Sequence, residues 1–112
     1  MKTRRVLFIN AAEKIIGETT VSCLEDMQKL VGGLIERAYE LEDGHEIYVN
    51  EEGLFDNSID YGFFVKGGHQ VYVGNGFLIG PPNARGDLTD ATKTVNALSQ
   101  LIKFTDIGRE DE

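Results

Sequence analysis

The sequence predicts an α+β fold, mainly an antiparallel sheet of about five or six strands, with a short helix after the first strands and a longer C-terminal helix. Alternating apolar and polar segments separated by glycine-rich turns fill the middle of the chain, from Glu46 to Ile79. Helix signals precede that region, and helical spacing of apolar residues follows it. The 112 residues match one domain, which we place at residues 1–107 with a frayed acidic tail at 108–112.

The first third of the chain predicts two strands and the short helix. The apolar run after Arg5 is rich in valine, phenylalanine and isoleucine, which favours a strand. Ser22 and Glu25 have the spacing of a capping box, in which each side chain bonds the other residue's amide. Gly32 and Gly33 supply the residue that ends such a helix. The predicted elements are strands at Arg5–Asn10 and Lys14–Gly17 and a helix over Cys23–Val31.

The middle of the chain predicts an antiparallel meander. Period-two alternation in Glu46–Asn50 and His69–Val73 places apolar side chains on one side, as in half-buried strands, and Tyr61–Lys66 has an extended pattern. Glycine and acidic residues between the segments are typical of turns. The predicted strands are Leu34–Leu41, Glu46–Asn50, Tyr61–Lys66, His69–Val73 and Phe77–Ile79.

The last part of the chain predicts the longer helix. Pro81 and Pro82 stop the preceding strand, because proline offers no ladder donor. Thr89 can cap a helix, and Asp90 suits its positive end. The apolar residues that follow lie on one helical face as far as Lys103 or Phe104. We expect this helix to lie across the sheet.

The net charge of −8 and the pI of about 4.7 disfavour direct nucleic-acid binding, which depends on lysine and arginine displacing counterions. The segment from Glu36 to Asp60 holds nine acidic residues against one basic residue, Arg37. Cys23 is the only cysteine, which points to a reducing compartment such as the cytoplasm of a bacterial host cell. No segment approaches the length that a membrane helix needs, so we predict no membrane association.

The sequence offers no catalytic group, metal site or cofactor motif that passes a test of context. Gly74–Gly80 lacks the following helix of a dinucleotide loop, and Asp56–Asp60 lacks the later residues of an EF-hand. Cys23, His45 and His69 show no metal-ligand spacing, and both histidines are expected to be exposed and ordinary. An enzyme is therefore disfavoured, although a carboxylate-only hydrolase stays open.

Two short motifs carry a family resemblance. Val31–Glu36 contains a Gly-Gly-x-Ile-Glu pattern, and Val49–Leu54 contains an Asn-Glu-Glu-Gly turn. With Asn57 and the Gly74–Gly80 stretch, the chain resembles the domain of unknown function 3846 family over roughly Val6–Gly80. The resemblance implies a protein of bacteria, bacteriophages or plasmids, and it brings no established activity.

The favoured hypothesis is a small acidic interaction module that binds or inhibits a host or phage protein through an acidic face. Carboxylates can compete with phosphate for a partner's basic surface, so binding should be salt-sensitive. The predicted binding residues are Glu46, Asn50, Glu51, Glu52, Asp56, Asn57 and Asp60.

Two further possibilities stay open. A small-molecule or nucleotide site could use Gly67–Gly68 and Gly74–Gly76, with the Pro81–Asp87 loop as a wall, because glycine lets backbone approach a ligand closely. A homo-oligomer could form if the strand beginning at Leu34 or the one at Tyr61 is an edge able to pair with its copy.

Overall fold

The computed structural model describes residues 3–108, and these residues form two antiparallel sheets and two short helices. The first sheet has five strands in the order β2-β1-β7-β4-β3, and the second has three in the order β6-β5-β8. The elements are β1 (Arg4–Asn10), β2 (Ile15–Val21), α1 (Leu24–Val31), β3 (Ile35–Glu40), β4 (Glu46–Asn50), a 3-10 helix (Gly53–Phe55), β5 (Tyr61–Val65), β6 (Val71–Val73), β7 (Gly76–Ile79), α2 (Val95–Ser99) and β8 (Ile102–Asp106).

The predicted fold class is wrong in two respects. Within residues 3–108 the strands number eight and divide between two sheets, instead of forming one sheet of five or six strands. The longer C-terminal helix is absent from residues 3–108, where α2 covers only Val95–Ser99 and β8 follows it. The number and length of the strands are hard to predict from period-two patterns, because a segment becomes a strand only when it pairs with another segment that can be distant in sequence.

Arg5 explains why the predicted helix does not begin at Thr89. Its guanidinium donates to the carbonyl oxygens of Ala91 and Lys93, at 2.6 and 3.0 Å. Its backbone N–H donates to Asp90 Oδ1 at 2.8 Å, and its carbonyl accepts from the N–H of Ala91. These bonds hold the segment against β1, so its polar groups are not available to a helix.

The helix that does form begins five residues later. Thr94 is its N-cap, and the Thr94 hydroxyl accepts a hydrogen bond from the N–H of Ala97 at 3.0 Å. Thr89 instead bridges Gly80 in the manner of a short antiparallel pair, and its hydroxyl donates to the Pro81 carbonyl at 2.7 Å. The capping residue was therefore misplaced.

The end of the predicted helix is a strand. β8 pairs antiparallel with β5 in continuous register, from Ile102 opposite Val65 to Asp106 opposite Tyr61. Ile102 and Phe104 pack against the core while Lys103 is exposed. This alternation overlaps with helical spacing over so few residues that periodicity alone could not separate the two.

The first sheet is covered on both faces. One face packs against the second sheet and α2, through side chains that include Leu7, Ile47, Phe63 and Leu98. The other face packs against α1, through the neighbouring positions Val6, Phe77 and Ile79 together with Met27 and Val31 of the helix. Since side chains alternate along a strand, adjacent apolar residues serve two separate cores.

The beginning of the chain differs from the prediction in detail. β2 continues beyond Gly17 to Val21 because it pairs with β1 along its whole length, with Arg4 opposite Val21. The predicted helix is present, but its capping box does not form. Cys23 is the N-cap and makes no side-chain cap bond, whereas the Asp26 carboxylate accepts from the Ser22 N–H at 2.8 Å.

The sheet edges bear on self-association. β3 is an edge strand, whereas β5 lies in the middle of its sheet. Pairing through Tyr61–Val65 is therefore not available. β3 carries an irregularity between Arg37 and Tyr39, a feature that protects edges from further pairing.

Neither helix within residues 3–108 is long and apolar enough to cross a membrane. The predicted frayed tail lies outside the described residues, apart from Gly108.

Candidate interaction surface

Asn50 joins the two motifs that were recognised in the sequence. Its side-chain N–H donates to the Val31 carbonyl at the end of α1, at 3.3 Å. Its Oδ1 accepts from the backbone N–H of Glu52 at 2.8 Å. The Glu51 N–H donates to the Leu34 carbonyl at 2.8 Å. The Asn-Glu-Glu-Gly turn is thus hydrogen-bonded to the segment that contains the paired glycines.

Two glycines allow this turn to pack closely. A Cβ at Gly33 would lie 2.9 Å from Asn50 Nδ2, and a Cβ at Gly53 would lie 2.5 Å from the carbonyl oxygen of Val73. Both separations are shorter than ordinary van der Waals contacts. Glycine is required at Gly53 by the approach of β6.

The 3-10 helix presents two apolar side chains to solvent. Phe55 is 80% exposed and Leu54 is 64% exposed, and Leu34 on the adjoining segment is 56% exposed. Exposed acidic residues stand beside them. We define the turn surface as Leu34, Glu51, Glu52, Leu54, Phe55 and Asp56.

Two clefts border Phe55. The larger, about 580 Å³, lies between the Gly32–Gly33 backbone and Phe55, with Glu52 and Asp56 on its walls. The smaller, about 250 Å³, lies between the 3-10 helix and β6 and is lined by Leu54 and Val71 among others. Phe55 lines both clefts, so it projects as a ridge between them.

Five of the predicted binding residues border these clefts. Asn50 lines both, Glu51 lines the smaller, and Glu52, Asp56 and Asn57 line the larger. Asp56 also accepts hydrogen bonds from the N–H and the hydroxyl of Ser58, at 3.0 and 2.6 Å. The role of these five cleft residues in binding stays a prediction.

The other two predicted residues, Glu46 and Asp60, line neither cleft. Glu46 is only 4% exposed, pairs with Arg37 at 2.9 Å and accepts from the Tyr48 hydroxyl at 3.2 Å. Its hydrogen bond and charge raise the pKa of Arg37, while burial and the charge of Glu46 raise the pKa of Tyr48. Glu46 therefore stabilises the sheet and contributes little field at the surface. Asp60 is exposed, just before β5.

The acidic segment does not lie on one face. In the β3–β4 register, Glu36 is opposite Val49 and Glu40 is opposite Glu46. Val49 and Glu46 are three positions apart along β4, so their side chains point to opposite faces of the sheet. The carboxylates of the turn surface form a smaller acidic group than the whole segment from Glu36 to Asp60.

His45 is buried, and the expectation of an exposed, ordinary histidine is wrong for it. Its Nε2 accepts from the Thr92 N–H at 3.1 Å, so Nδ1 carries the proton and donates to Asp43 Oδ1 at 3.0 Å. Lys93 also pairs with Asp43, at 2.7 Å. With both ring nitrogens bonded inside the protein, His45 joins the loop before β4 to the loop before α2. His69 is exposed.

Burial raises the pKa of Asp43, but hydrogen bonds from Lys93 and from the backbone and ring of His45 outweigh this effect. The net result lowers the pKa of Asp43 to about 2. Asp43 thus stays ionised and is neutralised locally. Across residues 3–108, no cluster of three or more His, Cys, Asp or Glu side chains is placed to hold a metal ion.

The chain matches the protein family described as Domain of unknown function (DUF3846) over residues 1–103. The chain belongs to the DUF3846 family. The resemblance predicted from the motifs is thus confirmed, and the match extends beyond Gly80 to include α2. Searches of curated proteins and of solved structures found no match.

The glycine-rich turns of this DUF3846 chain serve its own packing. A Cβ at Gly76 would lie 2.9 Å from the Tyr48 carbonyl oxygen and 3.0 Å from the Phe63 ring, and Gly74 has a φ of +96°. Gly67 lines a different cleft, beside Lys66. Close internal contacts account for Gly76, and a left-handed backbone accounts for Gly74. The small-molecule alternative stays a prediction.

Leu34, Leu54 and Phe55 were missed as candidate site residues. No binding role was predicted for Leu54 or Phe55 from the sequence. The sequence does contain a signal for a site here, which is an adjacent leucine and phenylalanine in a segment without strand alternation. Large apolar side chains that are exposed mark interaction sites.

Proposed function

We propose that this DUF3846 chain is a protein-binding module whose turn surface docks a partner with basic residues around an apolar patch. The observation that supports this most strongly is the exposure of Phe55, 80%, on a turn whose backbone is fixed by hydrogen bonds. Aromatic residues dominate the energetics of protein interfaces.

The fixed turn favours binding because little conformational entropy is lost when a partner docks. Asn50 bonds α1 to the turn, and Gly53 packs against β6. Full burial of a phenylalanine side chain contributes about 1.5–3 kcal/mol. Phe55 and Leu54 together supply an apolar centre of the size found in interface hot spots.

The acidic rim selects the charge of the partner. Glu51, Glu52 and Asp56 are exposed around the apolar centre, and the chain as a whole carries a net charge of −8. Such a rim accelerates association with basic surfaces and weakens with ionic strength. A partner that uses the same basic surface for nucleic acid would be inhibited by competition, which suits a small protein of a bacterium, bacteriophage or plasmid. The setting that we propose is the bacterial cytoplasm.

The test is affinity purification of the intact chain from the bacterial host, with mass spectrometry, at low and at physiological salt. We compare the natural chain with Phe55→Ser and with the control Ile15→Ser, which removes an apolar side chain of 58% exposure from β2, at the opposite edge of the sheet. A partner should be recovered at low salt, retained by Ile15→Ser and lost with Phe55→Ser. Equal recovery by both variants, or recovery that is indifferent to salt, would refute the proposal.

A further inference from the structure

The outer edge of β2 carries backbone groups that no other strand pairs. β2 is the last strand of the first sheet, and β1 is its neighbour there. The N–H and the carbonyl of Arg5 point away from β2, since they bond Asp90 and Ala91. Thr20 is opposite Arg5, and backbone groups alternate in direction along a strand. The residues of β2 whose N–H and carbonyl groups face outward are therefore Ile16, Glu18 and Thr20. Within residues 3–108, no loop bonds these groups either.

β2 lacks the features that protect a free edge from further pairing. It is seven residues long, contains no proline and pairs with β1 in continuous register, whereas β3 at the other edge is irregular. The charged side chain of β2, Glu18, forms an ion pair with Arg5, so its charge is balanced within the chain. A long and regular edge of this kind accepts another strand.

The edge of β2 is complementary to a second copy of itself. A two-fold axis at Glu18 places Glu18 opposite the second copy's Glu18, and Ile16 opposite the second copy's Thr20. All three outward-facing residues are then paired, and each such pair exchanges two N–H···O bonds. The same register places Ile15, which is 58% exposed, opposite the second copy's Val21. β-branched side chains that face each other across antiparallel strands stabilise the pairing.

We infer that two copies of the chain pair through β2 and join their five-stranded sheets into one continuous antiparallel sheet. Seven residues a side is far below the roughly 20–30 residues of a standard interface, so the dimer is weak and depends on concentration. The turn surface lies beside β3 and β4, at the far side of the sheet from β2, and stays free in both copies. This inference goes beyond the proposed function, which does not require a dimer.

The first test is sedimentation equilibrium of the intact chain at concentrations from about 10 μM to about 1 mM. A reducing buffer prevents a disulfide through Cys23. The average mass should rise from that of one chain toward that of two. Because each copy carries a net charge of −8, added salt should tighten the dimer by screening the repulsion, which is opposite to the effect expected for partner docking. A single-chain mass at every concentration would overturn the inference.

Two variants at Glu18 test the edge itself. Glu18→Pro removes the outward N–H at the two-fold axis but no bond between β2 and β1, and proline is tolerated in an edge strand when its nitrogen faces solvent. This variant should stay monomeric. Glu18→Thr keeps the N–H and removes the two facing carboxylates, so it should dimerise at least as tightly as the natural chain. If Glu18→Pro dimerises as well as Glu18→Thr, the copies meet through another surface and the inference fails.

Amide hydrogen exchange of the natural chain tests the same pairing without a substitution, and so decides the matter if Glu18→Pro does not fold. At low concentration the amides of Gly17, Thr19 and Val21, which face β1, should exchange slowly, and those of Ile16, Glu18 and Thr20 should exchange quickly. At high concentration the second group should slow as the fraction of dimer rises. Dimer formation without this slowing would refute pairing through β2, and it would leave partner capture by the turn surface unaffected.

Discussion

Replacing Gly53 with alanine tests whether the turn is held against the second sheet. The added Cβ would lie 2.5 Å from the Val73 carbonyl oxygen, while carbon–oxygen contacts are normally about 3.3 Å or longer. The 3-10 helix must therefore move away from β6 by about 0.8 Å. Because the obstacle is backbone, no side-chain rotation relieves it. Overpacking of this kind costs about 1–3 kcal/mol, which for a domain of this size lowers the melting temperature by about 4–12 °C.

The matched control is Gly17→Ala in β2, where no atom lies within 4 Å of an added Cβ. We expect the stability of this variant to remain within about 0.5 kcal/mol of the natural chain. Urea unfolding followed by circular dichroism, together with calorimetry, measures both variants. If Gly53→Ala is as stable as Gly17→Ala, the turn is not packed against Val73 and the account of a fixed turn is wrong.

Three further predictions concern Asp43, His45 and Phe55. Asp43 has a pKa of about 2 in the folded chain against 3.8 ordinarily, so its contribution to stability is complete above pH 4 and is lost as the pH falls through 2. Asp43→Asn should flatten the pH dependence of the free energy of unfolding, measured with urea, over this pH range. An unchanged profile would contradict the pairing of Asp43 with Lys93 and His45. His45→Ala leaves the Thr92 N–H and Asp43 without their buried partner. The free energy of unfolding should therefore fall by about 1–3 kcal/mol. A loss below about 0.5 kcal/mol would show that water replaces these hydrogen bonds. Phe55→Ser should change stability by less than about 0.5 kcal/mol, because the ring is 80% exposed; a large loss would mean that Phe55 belongs to the core.

Local patterns predicted three of the strands closely. The strand at Glu46–Asn50 has the predicted bounds, and those at Tyr61 and Phe77 agree to within a residue. β2 was predicted too short because its second half, Glu18–Thr20, is polar. Those residues form a strand because they pair with β1, and Glu18 also forms an ion pair with Arg5.

The division into two sheets could not be predicted from local pattern. It depends on β8 reaching β5, a pairing of Ile102 with Val65 across a long stretch of chain. The absence of the longer helix depends on Arg5, whose bonds to the carbonyls of Ala91 and Lys93 are equally remote in sequence. Tertiary contacts override local propensity in both places.

The candidate site was predicted in part. The Asn-Glu-Glu-Gly turn was singled out, and five of the seven proposed residues border the two clefts. Glu46 was included because alternation does not reveal that its carboxylate is buried and pairs with Arg37. Phe55 was missed because exposure of an apolar side chain is a property of the folded surface.

The most direct test of the docking account is site-specific photo-crosslinking in the bacterial host. A benzophenone amino acid replaces Leu54, which is 64% exposed beside Phe55, or Ile15, which is 58% exposed on β2. The account predicts a discrete crosslinked partner from position 54, absent from position 15 and reduced when lysates are irradiated at about 0.5 M salt. The same products from both positions, or a product from position 54 that salt does not diminish, would contradict it.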